Sequence, residues 1–184
     1  MPDASSTPPP ARLAVPLDPN RDHALGPWSA PAQLLEYGDY ECPDCLRAHP
    51  VLDRVRERFG DRLLFAFRHF PLFTVHRHAS VAAQAAEAAA AQGKFWAMHD
   101  LLYRNQDRLD PPDLTHYALK AGLEVYRFEN ALADGTYRQR VQSDFEGAQR
   151  SGVRGTPTLF LNGVRYEGPV EVDALAEAIE RSGA

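Results

Sequence analysis

Between about residues 76 and 150 the chain has no run with the character of a strand, and that block limits the possible folds more than any other feature. It comprises the alanine-rich "ASVAAQAAEAAAA", then "GKFWAMHDLLYRNQ", then "PPDLTHYALKAG" with two prolines suited to a first helical turn, then "EVYRFENALADGTYRQRVQSDFEGAQRSG". Strand character lies on either side. Before the block come "AQLLEY", a short apolar run between Pro31 and Gly38, and "DRLLFAFRHFPL", which ends at Pro71. After it comes "TPTLFLNGVRYEGP", two short runs around Asn162-Gly163, a dipeptide favoured in two-residue hairpin turns. Between the first two strands, "CPDCLRAHPVLDRVRERFG" places Leu46, Val51, Leu52, Val55 and Phe59 at broadly helical spacing, with Gly60 as its stop. A last amphipathic helix, "EVDALAEAIERSG", closes the chain. The order predicts an α/β fold in which a helical insertion, about residues 72–150, separates the central strand from a C-terminal hairpin.

Residues 1–22 are rich in Pro, Ser and Ala and predict a flexible tail, leaving residues 23–184 as one domain. Hydrophobic residues at 44% and charged residues at 24% place the chain among folding globular sequences. A net charge of -5 gives no reason to bind nucleic acid or anionic lipid. No stretch approaches the ~18 uninterrupted apolar residues of a membrane span. The opening residues show no apolar run of a secretory leader, so the expected location is cytoplasmic.

The two cysteines, Cys42 and Cys45, are too few for a disulfide-built scaffold. Bridging so short a loop would also constrain the unfolded chain little. A structural zinc site wants four ligands, and no second pair exists; His49, or His76 with His78, would have to complete a mixed one. The third reading is redox chemistry. Cys42 falls at a predicted helix N-terminus, where unpaired N–H groups and the helix dipole stabilise a thiolate, the form that attacks a disulfide. Cys45, one turn further on, is placed to resolve the mixed disulfide. Pro43 fits the first turn without cost, whereas Pro50 falls mid-helix and predicts a kink.

Here the sequence resembles the thioredoxin superfamily and, within it, the DsbA-like thiol-disulfide oxidoreductases. "LLEYGDYECPDC", "FRHFPL", "GTPTLFLNG" and the helical block carry the likeness. More closely, residues from about 23 to the end look like stand-alone DsbA-like proteins and a similar domain of some bacterial sodium/proton antiporters. The resemblance implies a thioredoxin-like fold and disulfide exchange with protein substrates, without cofactor or metal, by a monomer served by a further redox partner. It makes Cys42 the nucleophile, Cys45 the resolving thiol, Pro157 the cis-proline beside the sulfurs with Thr156 before it, and Pro50 the helix-kinking proline. Glu36, six residues before Cys42, matches a buried acid that moves the resolving thiol's proton; from position alone a solvent-facing Glu is equally admissible. His69, Phe95, Trp96 and Tyr103 are expected in the core.

Strongly oxidising relatives carry histidine where Asp44 stands between Pro43 and Cys45. With Glu41 and Asp39 nearby, negative charge is expected to oppose a Cys42 thiolate, which predicts a weaker oxidant and a reductase or isomerase-like role. A redox-sensing binding module and a glutathione-dependent isomerase remain as alternatives, the latter disfavoured because both cysteines are present.

Overall fold

The computed structural model of the chain describes residues 11–183. Among them are five strands and seven α-helices. They are β1 (His23–Leu25), β2 (Ala32–Gly38), α1 (Pro43–Phe59), β3 (Leu63–His69), α2 (Ala79–Ala90), α3 (Phe95–Arg104), α4 (Pro111–Lys120), α5 (Val125–Ala133), α6 (Arg138–Arg150), β4 (Thr158–Leu161), β5 (Val164–Tyr166) and α7 (Val172–Arg181). The strands form one sheet in the order β1-β3-β2-β4-β5, with β2 and β3 parallel and every other pair antiparallel. Helix α1 makes the crossover that two parallel neighbours require.

Side chains alternate across the sheet, so its two faces bury different sets. Leu34, Phe65 and Leu159 pack with Ala48, Leu52 and Val55 of α1 and Leu175 and Ile179 of α7. Leu35, Tyr37, Ala66 and Phe160 pack with Ala148 of α6. Glu36, between Leu35 and Tyr37, shares the face of Leu34 and so points toward the α1 side. Helices α2 to α5 build a further core, in which Phe95, Met98, Leu102 and Tyr103 of α3 meet Phe67 and both cysteines. This joins the inserted helices to the sheet at the cysteine pair.

Local chemistry accounts for the boundaries. Asn162 and Gly163, with φ of 49° and 76°, make the β4–β5 turn in the doubly positive conformation that Asn-Gly favours. Pro111 and Pro112 open α4 behind Asp110. Helix α1 ends at Gly60, which adopts φ 51°. Its run continues through Pro50, which deprives the Leu46 carbonyl of its helical donor; Leu46 is exposed, so water can serve instead.

Two expectations need correction. Strand β1 was not anticipated: its three half-buried residues are too few to carry a period. The flexible tail expected over residues 1–22 does not extend that far; residues 1–10 lie outside the described residues, but residues 11–22 pack on the domain. The reason is Arg68, a fully buried cation in β3. Its guanidinium binds both oxygens of buried Asp22 at 2.7 and 2.8 Å, and donates to the carbonyls of Val15 at 2.7 Å and Pro16 at 2.9 Å. A buried guanidinium needs such acceptors, and the N-terminal segment supplies them. Leu13 also donates to Gly163, and Ala14 to the Ser151 hydroxyl.

Candidate active site

Cys42 is the N-cap of α1, with extended backbone (φ -80°, ψ 121°), and Pro43 follows as the first helical residue. The strand-to-helix turn thus holds Cys42 over the helix N-terminus and sends Cys45 inward. Both are free thiols; Cys42 is 4% exposed and Cys45 fully buried. The Cys42 thiol donates to the Thr156 carbonyl at 3.4 Å, and the Thr156–Pro157 peptide bond is cis. Cys42, Cys45, Thr156 and Pro157, remote in sequence, therefore share one site. Beside it a cleft of about 460 Å³ is lined by Asp44, Arg47, Ala48, Thr156, Pro157 and Val170.

The two thiols have opposite acidities. Hydrogen bonding from the Cys45 side chain, set against partial burial, brings the Cys42 pKa down from 9.0 to about 6, with Thr156 and the Cys45 backbone N–H adding to the effect. The Thr156 hydroxyl has no hydrogen-bond partner among the described residues, so its proton is free to turn toward the sulfur and stabilise the thiolate. Burial, followed by the hydrogen bond given to Cys42, pushes the Cys45 thiol well above its ordinary value. One sulfur is poised as thiolate and the other holds its proton.

Glu36 is buried, and one of its carboxyl oxygens has no hydrogen-bond partner. Burial, and then repulsion from Cys42, raises its pKa from 4.5 to about 8. It adds in turn to the raised pKa of Cys45, placing the two groups within electrostatic reach. Of the expected acids around Cys42, the one that opposes its thiolate is Asp39, and the opposition is overcome. Asp44 points to solvent and pairs with Arg47. Glu41 pairs with His78 at 3.0 Å. The expectation of a thiolate weakened by Asp44 is thereby revised: salt-bridging and exposure screen that charge, while hydrogen bonds favour the thiolate.

The histidines do not join the cysteines. His76 holds Asp39 at 2.7 Å and His78 bridges Glu41 and Asp110. His69 is buried against Glu87 at 2.9 Å, and no possible metal cluster among the described residues contains a cysteine. Phe95 and Tyr103 are core residues, with Trp96 packed against them. Two supports escaped sequence reasoning. Asp39 accepts from the backbone of Glu41 and Leu72, both at 2.8 Å, and so fixes the loop before Cys42; its place after Gly38 is the turn chemistry that signals this. Gln106 donates to the carbonyls of Tyr40 at 2.9 Å and Cys42 at 2.8 Å. Nothing local marks Gln106, because its partners lie more than sixty residues away.

A sheet with a crossover helix capped by a cysteine pair, and a proline-bearing turn against that pair, defines a thioredoxin-fold protein. A family model described as thioredoxin matches residues 19–181, and the chain belongs to that family. It is 48% identical over 169 residues to a protein of Salinispora tropica named Na(+)/H(+) antiporter NhaA 3, covering 91% of this chain and 26% of that protein. The chain thus spans about a quarter of the length of that relative. BdbD from Bacillus subtilis has the same fold, with a TM-score of 0.83 at 22% identity over 95% of this chain and 97% of that one. A thioredoxin-like oxidoreductase from Silicibacter pomeroyi aligns with a TM-score of 0.78 at 25% identity, covering 90% and 93%.

Proposed function

We propose that the chain exchanges disulfides with protein substrates, Cys42 attacking and Cys45 resolving. The observation that carries the reading is the pair of buried thiols one helical turn apart whose acidities are driven in opposite directions. In the reducing direction the Cys42 thiolate attacks one sulfur of a substrate disulfide, forming a mixed disulfide and releasing one substrate thiolate. Consuming the Cys42 charge removes one of the repulsions that keep Glu36 protonated, so the Glu36 carboxylate becomes available as a base for the Cys45 proton. The Cys45 thiolate then attacks the Cys42 sulfur and expels the second substrate thiolate. Two electrons pass to the substrate, leaving a Cys42–Cys45 disulfide that an external dithiol reduces. Thr156 and Pro157 border the cleft beside the sulfurs and would receive the substrate backbone.

A Cys42 pKa of about 6 lies between the ~7 of thioredoxin and the ~3.5 of DsbA, which favours a reductase or isomerase over a strong oxidase. The test is turnover of a protein disulfide with a recycling dithiol. Cys42→Ser should abolish it, and Cys45→Ser should accumulate a mixed disulfide with substrate. Failure of Cys45→Ser to trap any substrate would overturn the reading.

The likeness to proteins named as antiporters favours a second reading, a redox-responsive module acting on a membrane transporter. Such a module would react once per chain and change partner affinity, whereas a catalyst would turn over repeatedly.

A further inference from the structure

Helices α1 and α3 face each other, and their contact continues one helical turn past Cys45 to His49. His49 and Asp53 lie one turn apart on α1, and His99 and Asp100 are adjacent on α3. One donor atom from each of His49, His99 and Asp100 lies within 4.8 Å of the other two. His49 Nε2 stands 3.7 Å from Asp100 Oδ1 and 3.7 Å from Asp53 Oδ2.

The surroundings orient these atoms. In each carboxylate the other oxygen faces an arginine: Arg56 lies 2.6 Å from Asp53 Oδ1, and Arg104 lies 3.7 Å from Asp100 Oδ2. His99 Nδ1 lies 2.9 Å from the Tyr40 hydroxyl, and in the tautomer whose Nδ1–H donates to that oxygen Nε2 keeps its lone pair for a ligand. Outer contacts of this kind fix the tautomer and direction of ligating histidines and carboxylates. Beside the cluster a cleft of about 580 Å³, lined by Asp53, Arg56, Trp96 and Asp100, gives a path from solvent.

We propose that His49, His99 and Asp100 bind a divalent transition metal such as zinc, with Asp53 as the neighbouring carboxylate that adds negative charge. Two imidazoles with a carboxylate suit zinc and its borderline neighbours, whereas calcium and magnesium want oxygen donors throughout. Donors about 2.0–2.2 Å from a tetrahedral zinc lie roughly 3.4 Å from each other. The site must therefore draw inward, and the Asp100 and Asp53 side chains, 42% and 40% exposed, have room to do so. The other cluster of this kind, His69, Glu87 and Asp144, lacks such freedom: Arg21 and Arg140 already engage Asp144, and His23 and His69 share one oxygen of Glu87. The site makes no use of the cysteines and is independent of the proposed exchange reaction.

Because thiols also bind zinc, the test uses the full chain carrying Cys42→Ser and Cys45→Ser. Equilibrium dialysis with zinc, and visible absorption with cobalt(II), should give one ion per chain in a nitrogen and oxygen environment without thiolate charge-transfer bands. Adding His49→Ala or Asp100→Asn should each weaken zinc binding by about tenfold or more. Asp100 is half-exposed on its helix, so Asp100→Asn separates loss of a ligand from loss of the fold, which circular dichroism checks. Absence of stoichiometric binding, or undiminished affinity in either variant, would overturn the proposal.

Discussion

Replacing Glu36 by glutamine isolates the least comfortable group in the molecule. A carboxyl whose pKa rises from 4.5 to about 8 on folding keeps its proton in the native state and gives it up on unfolding. Native stability therefore falls as pH rises from the unfolded value through the folded one. Each pH unit inside that window costs about 1.4 kcal/mol, so between about pH 5 and pH 8 the carboxylate contributes up to about 4 kcal/mol of destabilisation that glutamine cannot show. Cys42 titrates in the same range with the opposite sign, its lowered pKa adding stability as pH rises. The comparison therefore belongs in a Cys42→Ser background; burial, the largest cause of the Glu36 shift, is unchanged there. Urea unfolding of Cys42→Ser with and without Glu36→Gln, at several pH values, gives the difference directly. The separation between the two curves should be constant below about pH 5 and change with rising pH in favour of Gln. The amide's own hydrogen bonding adds a constant offset, so the slope is the readout. Parallel curves would refute the burial argument and with it the proton-carrying role.

Three further outcomes follow from the same geometry. Thr156→Val removes a hydroxyl that stabilises the Cys42 thiolate and should raise its titration midpoint by up to about one unit, one hydrogen bond being worth ~1 kcal/mol; thiolate absorbance against pH measures it. Asp22→Asn leaves the buried Arg68 without its counter-charge and should cost about 3–5 kcal/mol in chemical denaturation, with the N-terminal segment losing hydrogen-exchange protection first. Asp44→His should raise the reduction potential by no more than about 20–30 mV, because Asp44 is exposed and already paired with Arg47; an unchanged value would show that this position carries no electrostatic weight.

Much of this was legible in the sequence because the governing forces are local. Apolar runs of strand length, the Asn162-Gly163 turn, the paired prolines before α4 and Gly60 each specify backbone without reference to distant residues. The cysteine pair was legible for the same reason, since a strand end, a proline and an amphipathic helix in succession place Cys42 at a helix N-terminus. What escaped depends on partners far along the chain. Arg68 reads as one charge in an apolar strand, and only the folded sheet shows that it draws residues 11–22 onto the domain. His49 was weighed as a companion of Cys45 because both lie on α1. Its contacts are instead with His99 and Asp100, fifty residues on, which no spacing rule connects. Asp44 misled for a related reason: its charge is plain in the sequence, whereas its exposure and its Arg47 partner belong to the fold.

The central claim is that Cys42 and Cys45 are a reacting pair with Cys42 moderately acidified, and their equilibrium reduction potential against glutathione tests it most directly, with Cys45→Ser as the control that forms no internal disulfide. Starting from ~-270 mV for a thioredoxin thiol near pKa 7 and adding about 30 mV for one unit of further acidity gives a predicted value of roughly -240 mV. A value near -120 mV, or a pair that forms no disulfide at all, would contradict the account.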